Sequence, residues 1–476
     1  MLFNSYIFLI FISIALPVFY LIPRKSRNLY LLSLSYLFYG YWDWRFCGLL
    51  AFSTLTDFYI GGKIFKSSNP VTRKKWLTLS VFLNISVLFL FKYFNFFVDS
   101  FEAMIQPLGG HLDYLHLNII LPVGISFYTF QTLSYTIDIY RGHVSPTRKI
   151  VDFSLFVAFF PQLVAGPIEK AKHLLPQISK SPLPTRTQVN EGLVLIVMGY
   201  FKKVMIGDTS GRYVDRIFGD LQAYSSPEIL TALILFSVQI YADFSGYSSI
   251  ARGLAKLLGI ELIRNFEQPY LSASISEFWR RWHISLGSWI KEYIYIPLGG
   301  NKKGELRTYI NLMLTMIIIG LWHGASWTFV VYGFINGVYL VTHRFLLNGK
   351  KIKSRYKYEG LKSFLWFISG VIFTNLLVMV TRIFFRAPTF QDAKLLINKL
   401  LIWEPSMLGE RLVFMAVAYA SISFFIDVLE YYTRSHTFIL KIPSKAVRLG
   451  ISLPLVIIVL VYMFQAKPLP FIYFQF

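Results

Sequence analysis

The sequence predicts an all-α, polytopic membrane protein, and three observations support that class. Hydrophobic residues make up 55% of the 476 and charged residues only 15%, where a soluble domain carries about 25% charge. Apolar windows of roughly 20 residues, long enough to cross a bilayer as a helix, recur about a dozen times. The 47 lysines and arginines, which leave a formal net charge of +22, are divided among short segments between those windows. A nucleic-acid surface would gather them on one patch, so the charge reads chiefly as a topology signal. An aromatic content of 18% excludes disorder. The lone cysteine, Cys47, excludes a disulfide framework and a cysteine metal centre. Length alone would allow roughly two to four soluble domains; composition replaces them with one integral-membrane unit over residues 1–476.

The first window runs from Ser5 to Pro23 and is followed by Arg24, Lys25 and Arg27. Met1 to Ile22 has no basic leading region and no small-residue cleavage site, so it is expected to be a retained span rather than a secretory signal. Leu29–Trp42 and Phe46–Gly61 come next, before a segment with Lys63, Lys66, Arg73, Lys74 and Lys75. Trp76–Val98 follows, and the loop over 99–118 carries Asp99, Glu102 and Asp113 without lysine or arginine. Basic short loops stay in the cytoplasm, so the Arg24 and Lys63 segments are expected inside, the 99–118 loop outside and the N-terminus outside, in a multi-pass cell (inner) membrane protein.

Further windows are Ile119–Tyr140, Val189–Ile206, Glu228–Ile250, Tyr309–Trp322, Trp327–Leu346, Ser363–Phe385, Leu412–Tyr431 and Gly450–Phe464. Phe153–Ile168 is apolar, flanked by basic residues on both sides and broken by Pro161, Gly166 and Pro167, so it is expected to be re-entrant. Residues 252–307, with Arg264, Arg280, Arg281, Lys291, Lys302 and Lys303, are expected to form an amphipathic or re-entrant region on the cytoplasmic side, and the basic stretches Arg344–Lys362 and Arg434–Arg448 are expected inside. Lys202 and Lys203 lie near the expected outer end of their span, and either snorkel or mark a displaced boundary. The total is about 11–12 transmembrane helices plus re-entrant pieces.

Polar residues inside apolar windows are costly and face the interior of a bundle. His323 is the sharpest, in Gly320-Leu321-Trp322-His323-Gly324-Ala325-Ser326-Trp327. Its imidazole titrates near neutrality and can act as a general base, or can simply bond two helices together. Gly320 and Gly324, and Gly333 and Gly337 around Asn336, have the spacing that admits another helix or a narrow substrate. Trp322, Trp327, Asn336 and a backbone N–H freed near Gly324 are candidate donors to an oxyanion. In Phe278–Trp289, Trp279, Trp282, Leu286 and Trp289 would share one helical stripe with Arg280 and Arg281 off it, as in a membrane-surface anchor. Arg280, Arg281, Trp282, Lys291 and Tyr293 are candidates for holding a phosphorylated, adenine-bearing acyl donor. Ser326 reads as a helix cap rather than a nucleophile. His111, His116, His143, His173, His343 and His436 have no metal-ligand spacing, and no metal is expected.

These blocks resemble the membrane-bound O-acyltransferase (MBOAT) family. The resemblance is carried by Phe127-Tyr128-Thr129-Phe130-Gln131 with Tyr135 and Asp138, by Pro161–Ile168, Gln239–Tyr247, Phe278–Asn301 and Gly320–Trp327, and by the terminal Phe471–Phe474. It is strongest to the bacterial branch that holds the membrane component of alginate O-acetylation (AlgI-like), with the D-alanyl transfer protein of teichoic acid synthesis as a near relative. The resemblance implies a multi-helix bundle around a central tunnel, with an acyl group entering from the cytoplasm and leaving on an acceptor outside. It implies catalytic roles for His323, the match to the family's near-invariant histidine, and for His283, on the donor side. It implies no bound cofactor, an acyl donor that is acetyl-CoA or an acyl-carrier thioester, a polysaccharide acceptor and an extracytoplasmic partner protein. The tail Lys467–Phe476 is expected either to dock that partner or to anchor at the interface. A D-alanyl transferase and a transporter or channel are the rival functions.

Overall fold

Each expected window contains helix in the computed structural model, although Ile119–Tyr140 is helical only from Ile125; the structure describes residues 1–108, 112, 115–347, 360–406, 409–465 and 468–474. Asp113, His111, Lys467 and most of the stretch between Arg344 and Lys362 lie outside the described residues. No strand occurs among the described residues. Backbone groups in hydrocarbon must bond within their own segment, which helices achieve. The chain divides into two compact units.

The first unit comprises Met1–Gly192 and Ala251–Ile263. It holds α1 (Tyr6–Leu21), α2 (Arg24–Asp43), α3 (Arg45–Lys66), α4 (Pro70–Leu88), α5 (Phe94–Ile105), α6 (Ile125–Tyr140), α7 (Ile150–Ala158), α8 (Phe160–Leu163), α9 (Ala171–Lys180) and the start of α10 (Arg186–Tyr200). Ser5 caps α1 by accepting from Phe8 N–H at 3.3 Å, and Asn69 caps α4 ahead of Pro70. Arg24, Lys25 and Arg27 form the first turn of α2 rather than a loop. α3, α4 and α6 are joined by a buried polar cluster. Asp57 accepts from Ser80 Oγ at 2.6 Å and Asn84 Nδ2 at 2.7 Å, and Thr132 Oγ1 donates to Asn84 Oδ1 at 2.9 Å. A carboxylate is tolerated there because its lone pairs are occupied.

The expected break at Phe153–Ile168 is present. α7 and α8 are nine and four residues long and are separated at Phe159, which leaves helical geometry just before Pro161. Every residue of the segment is buried. The side-chain amides of Gln131 and Gln162 both donate to Phe156 O, at 2.9 and 3.1 Å, replacing the helical bonds that the break removes.

The second unit comprises Leu193–Ile250 and Arg264–Phe476. The remainder of α10 runs through a π-helical stretch, Phe201–Asp208, into α11 (Thr209–Phe218). Then come α12 (Ser226–Leu257), α13 (Ile275–Arg281), α14 (Ile284–Ile290), α15 (Glu305–His323), α16 (Trp327–Leu346), α17 (Leu361–Arg386), α18 (Phe390–Leu401), α19 (Gly409–Thr433) and α20 (Lys445–Gln465). The apolar window of α12 is 83% buried and that of α20 only 6%, so α12 is a core helix and α20 presents its leucines and isoleucines outward. Such an outer surface suits hydrocarbon as solvent. Seven described helices are long and apolar enough to cross a membrane, and Tyr6–Leu21 and Ile150–Leu163 are shorter apolar helices. The amphipathic α18, closed by a capping box between Thr389 and Asp392, had no counterpart among the expected windows.

Lys202 and Lys203 do not snorkel. They are 6% and 1% exposed. Lys202 Nζ pairs with Glu430 at 2.7 Å, and Lys203 Nζ with Asp208 at 2.6 Å and Asp243 at 2.7 Å. Glu430 and Asp243 come from distant sequence, beyond the reach of local reading, while Asp208 lies five residues from Lys203.

The glycine pairs of α15 and α16 serve helix contact. A Cβ at Gly320 would collide with Phe329 O, one at Gly333 with Met316 O, and one at Gly337 would lie 2.8 Å from Met313 Sδ. Gly320→Ala is therefore expected to lower stability by about 1–3 kcal/mol through overpacking. Gly48→Ala in α3, where a Cβ meets nothing within 4 Å, should be neutral or stabilising. Thermal unfolding in detergent compares the two, and equal effects would refute the close helix approach.

Candidate active site

The site grows from a helix that stops early. Ser274 caps α13, its hydroxyl accepting from Glu277 N–H at 3.3 Å. After Arg281 the chain turns extended at Trp282 and left-handed at His283, with φ +43°. Asn265 to Glu267 take over the hydrogen bonding: Glu267 N–H donates to Arg281 O at 3.0 Å, and Ile284 N–H to Asn265 O at 2.9 Å. The single stripe expected for Trp279, Trp282, Leu286 and Trp289 is thus overturned, because two seven-residue helices meet at His283. A left-handed non-glycine residue costs about 1–3 kcal/mol, and here the turn drives the imidazole inward. His283 is 1% exposed, and neither ring nitrogen has a hydrogen-bond partner.

His323 ends α15 and is 2% exposed. Trp322 contacts both histidines, its ring centroid 5.4 Å from His283 and 5.2 Å from His323. Tyr332 and Phe385 complete one wall, at 5.8 and 5.1 Å from the His323 ring. Phe244 of α12 lies edge-on to His283 at 4.7 Å.

Tyr473 joins both sides, 5.4 Å from His323, 6.4 Å from His283 and 6.2 Å from Trp322. From Phe471 to Tyr473 the tail therefore packs inward rather than anchoring at an interface. Its seat is the Lys203 ion pair. Asp243 Oδ2 accepts from Ile472 N–H at 2.8 Å, and Lys203 Nζ donates to Leu469 O at 3.3 Å. Phe471 is fully buried against Phe244 and Tyr247.

The other candidate residues divide. Trp282 is buried among Tyr241, Phe266, Tyr270 and Phe278. Arg281 pairs with Glu277 at 2.6 Å and lies over Tyr431 at 5.5 Å, an arrangement that braces α13. Asn336 is buried, and its amide donates to Tyr332 O at 2.8 Å within its own helix. Trp327 is 52% exposed at the start of α16. Ser326 caps that helix through Thr328 N–H at 3.3 Å. Arg280 and Lys291 are exposed, while Tyr293 is buried against Trp289 at 4.9 Å. Cys47 is half-buried in the first unit, its thiol directed at Tyr36 O at 3.8 Å. Sequence reasoning missed Tyr332, Phe385, Phe244 and Arg382. Arg382, a charge inside an apolar window, carried the signal that marks an interior site.

The profile of the membrane-bound O-acyltransferase family matches residues 36–385. The chain belongs to that family. It is an O-acyltransferase of the membrane, and both histidines lie within the matched span. A probable alginate O-acetylase AlgI of Azotobacter vinelandii is 41% identical over 395 residues, 83% of this chain and 76% of that protein. A peptidoglycan O-acetyltransferase of Helicobacter pylori is 33% identical, covering 83% of this chain and 78% of its own. A teichoic acid D-alanyltransferase of Streptococcus thermophilus is 30% identical over 260 residues, 50% of this chain and 61% of that one.

Two outcomes follow from the site's electrostatics. Asp243→Ala removes one carboxylate from a buried ammonium and the acceptor from the Ile472 N–H. The expected loss is about 3–5 kcal/mol, read as thermal unfolding in detergent; a loss below about 1 kcal/mol would refute the role of this pair. His283 lies between short helices outside the membrane-crossing set, and burial pushes its imidazole down to about 3. The unfolded chain then binds the extra proton between pH 3 and about 6.5. Stability from this group is full above pH 6.5 and falls as the pH drops toward 3. His283→Gln should flatten that acid loss, and an unchanged pH profile would count against a neutral buried imidazole.

Proposed function

We propose that this O-acyltransferase carries an acetyl group from a cytoplasmic thioester to a hydroxyl destined for an exported polysaccharide, with His323 as general base. The observation that carries the reading is the pair of buried imidazoles packed against Trp322. Neutral His323 takes the proton of the acceptor hydroxyl as its oxygen attacks the acetyl carbonyl. The indole N–H of Trp322 stabilises the tetrahedral oxyanion. Collapse expels the thiolate, which regains the proton from the imidazolium. His283 assists on the donor side. Such a base contributes about 10²- to 10⁴-fold, and a dry aromatic enclosure limits hydrolysis of the thioester.

The donor in this reading is acetyl-CoA or an acyl-carrier thioester. Arg280, Lys291, Lys302 and Lys303, all exposed, supply charge for its phosphates. The reading puts residues 252–307 inside, the N-terminus outside and His323 toward the outer end of its helix, by the positive-inside rule. The acceptor is an alginate-like polysaccharide, reached through an extracytoplasmic partner protein. The alginate O-acetylase relative supports this acceptor, since it covers far more of the chain than the D-alanyltransferase does.

Mass spectrometry of cell-surface polymers tests the proposal. Wild-type cells should carry acetyl esters on a polysaccharide, and His323→Ala should reduce them by about 10²- to 10⁴-fold. D-alanyl esters lost in their place would establish teichoic acid transfer. Esters unchanged in the variant would remove His323 from the chemistry, and solute flux surviving its loss with no ester formed would indicate a transporter.

A further inference from the structure

Arg382 carries a charge in the interior of the second unit with no anion beside it among the described residues. It belongs to α17 and is 1% exposed. Its guanidinium lies 4.7 Å over the Trp282 ring and 5.6 Å from that of Phe385. Tyr270 and Tyr332 place neutral hydroxyls against it, and no carboxylate pairs with it among the described residues. Lys202, Lys203 and Arg281, buried cations of the same unit, each have an acidic partner. A buried cation is expensive unless paired, and a purely structural position would be filled as well by a neutral side chain.

The orphaned atoms point to what completes the site. Nε and Nη2 of Arg382 are both buried and without a hydrogen-bond partner. These two N–H groups form one edge of the guanidinium fork, the edge that grips two oxygens of a planar anion at once. A lone oxyanion uses one such donor; a carboxylate or phosphate uses both. The Tyr473 hydroxyl and both His283 nitrogens are buried without partners too. Buried polar atoms are satisfied about nine times in ten, so this concentration within one aromatic cluster marks the place of a polar ligand. Phe385 and Tyr332 each touch the His323 ring and also the guanidinium, which puts that ligand in the same chamber as the base.

We propose that Arg382 is the receptor for a two-oxygen anion, carboxylate or phosphate, carried on one of the substrates into the chamber beside His323. This rests on the acyl-transfer reading above and names the substrate chemistry at that site. The guanidinium holds the charged group away from the reacting carbonyl and fixes the substrate's register against the imidazole, so Arg382 is a positioning residue.

The full chain in lipid nanodiscs tests this with wild type, Arg382→Gln and Arg382→Lys. Acetyl ester formation is measured with two donors, acetyl-CoA and phosphate-free acetyl-pantetheine, and two acceptors, an oligouronate and its methyl ester. In Arg382→Gln the KM of the charged member of one pair should rise about 10- to 100-fold, with its neutral counterpart unchanged. The lysine variant should recover part of the loss. The pair that responds identifies donor phosphate or acceptor carboxylate as the anion. Equal losses for charged and neutral members of both pairs, in variants that still elute as folded monodisperse protein, would overturn the proposal, as would no change at all. If wild type forms no acetyl ester from any combination, it is the acyl-transfer reading that fails; transfer without charge discrimination sinks only the role of Arg382.

Discussion

The buried ammonium of Lys203 is the interaction on which the second unit depends. Asp208 and Asp243 hold it at 2.6 and 2.7 Å with almost no solvent access. A charge so enclosed is tolerated only with such partners. Reaching them requires α10 and its π-helical continuation to press against α12. A Cβ at Gly199 or Gly246 would meet the opposing backbone at 2.8 or 2.7 Å. The π geometry belongs to the same arrangement: it turns Lys202 toward Glu430 while Lys203 faces Asp243. Asp243 also receives the Ile472 N–H. One ion pair thereby joins a core helix to the C-terminal segment and seats Tyr473 between two histidines that lie far away in sequence.

The enclosure around those histidines is built of rings. Trp322, Tyr332, Phe385, Phe244 and Tyr473 leave each imidazole in contact with aromatic faces and edges. Such surroundings exclude water, and at His283 burial disfavours the imidazolium. The same dryness strengthens any dipole aimed at a developing charge. Polar braces are placed outside the rings: Tyr241 donates to Asp427 at 2.7 Å, Gln268 to Glu430 at 3.1 Å and Arg281 to Glu277 at 2.6 Å. They hold α12, α13 and α19 in position.

Much was legible locally. The break at Phe159 to Pro161 was visible because proline and glycine disrupt helices wherever they occur. The glycine spacing in α15 and α16 was visible because side-chain volume decides how closely two helices approach, although spacing alone left helix and substrate as equal occupants. Ser326 was legible as a cap from its position ahead of an apolar run. The stripe from Trp279 to Trp289 misled because periodicity assumes an unbroken helix, and the backbone of Asn265 to Glu267, outside that window, ends it at Arg281. The tail misled for a similar reason: an aromatic, proline-rich end suits an interface, and only the distant Asp243 shows that it folds inward.

Composition and hydropathy alone determined that this chain is helical and lives in a membrane, because hydrocarbon forces every spanning segment to bond internally whatever its neighbours are. Motif chemistry determined that His323 and His283 merit attention. Tertiary structure decided that they share one enclosure with Trp322 and Tyr473, that Lys203 is paired rather than snorkelling, and that Arg382 stands without an anion. Those outcomes depend on groups up to hundreds of residues apart, such as the Lys203 ammonium and the Leu469 carbonyl. The free energy of a buried charge is set by which groups surround it in space, and no local window contains that information.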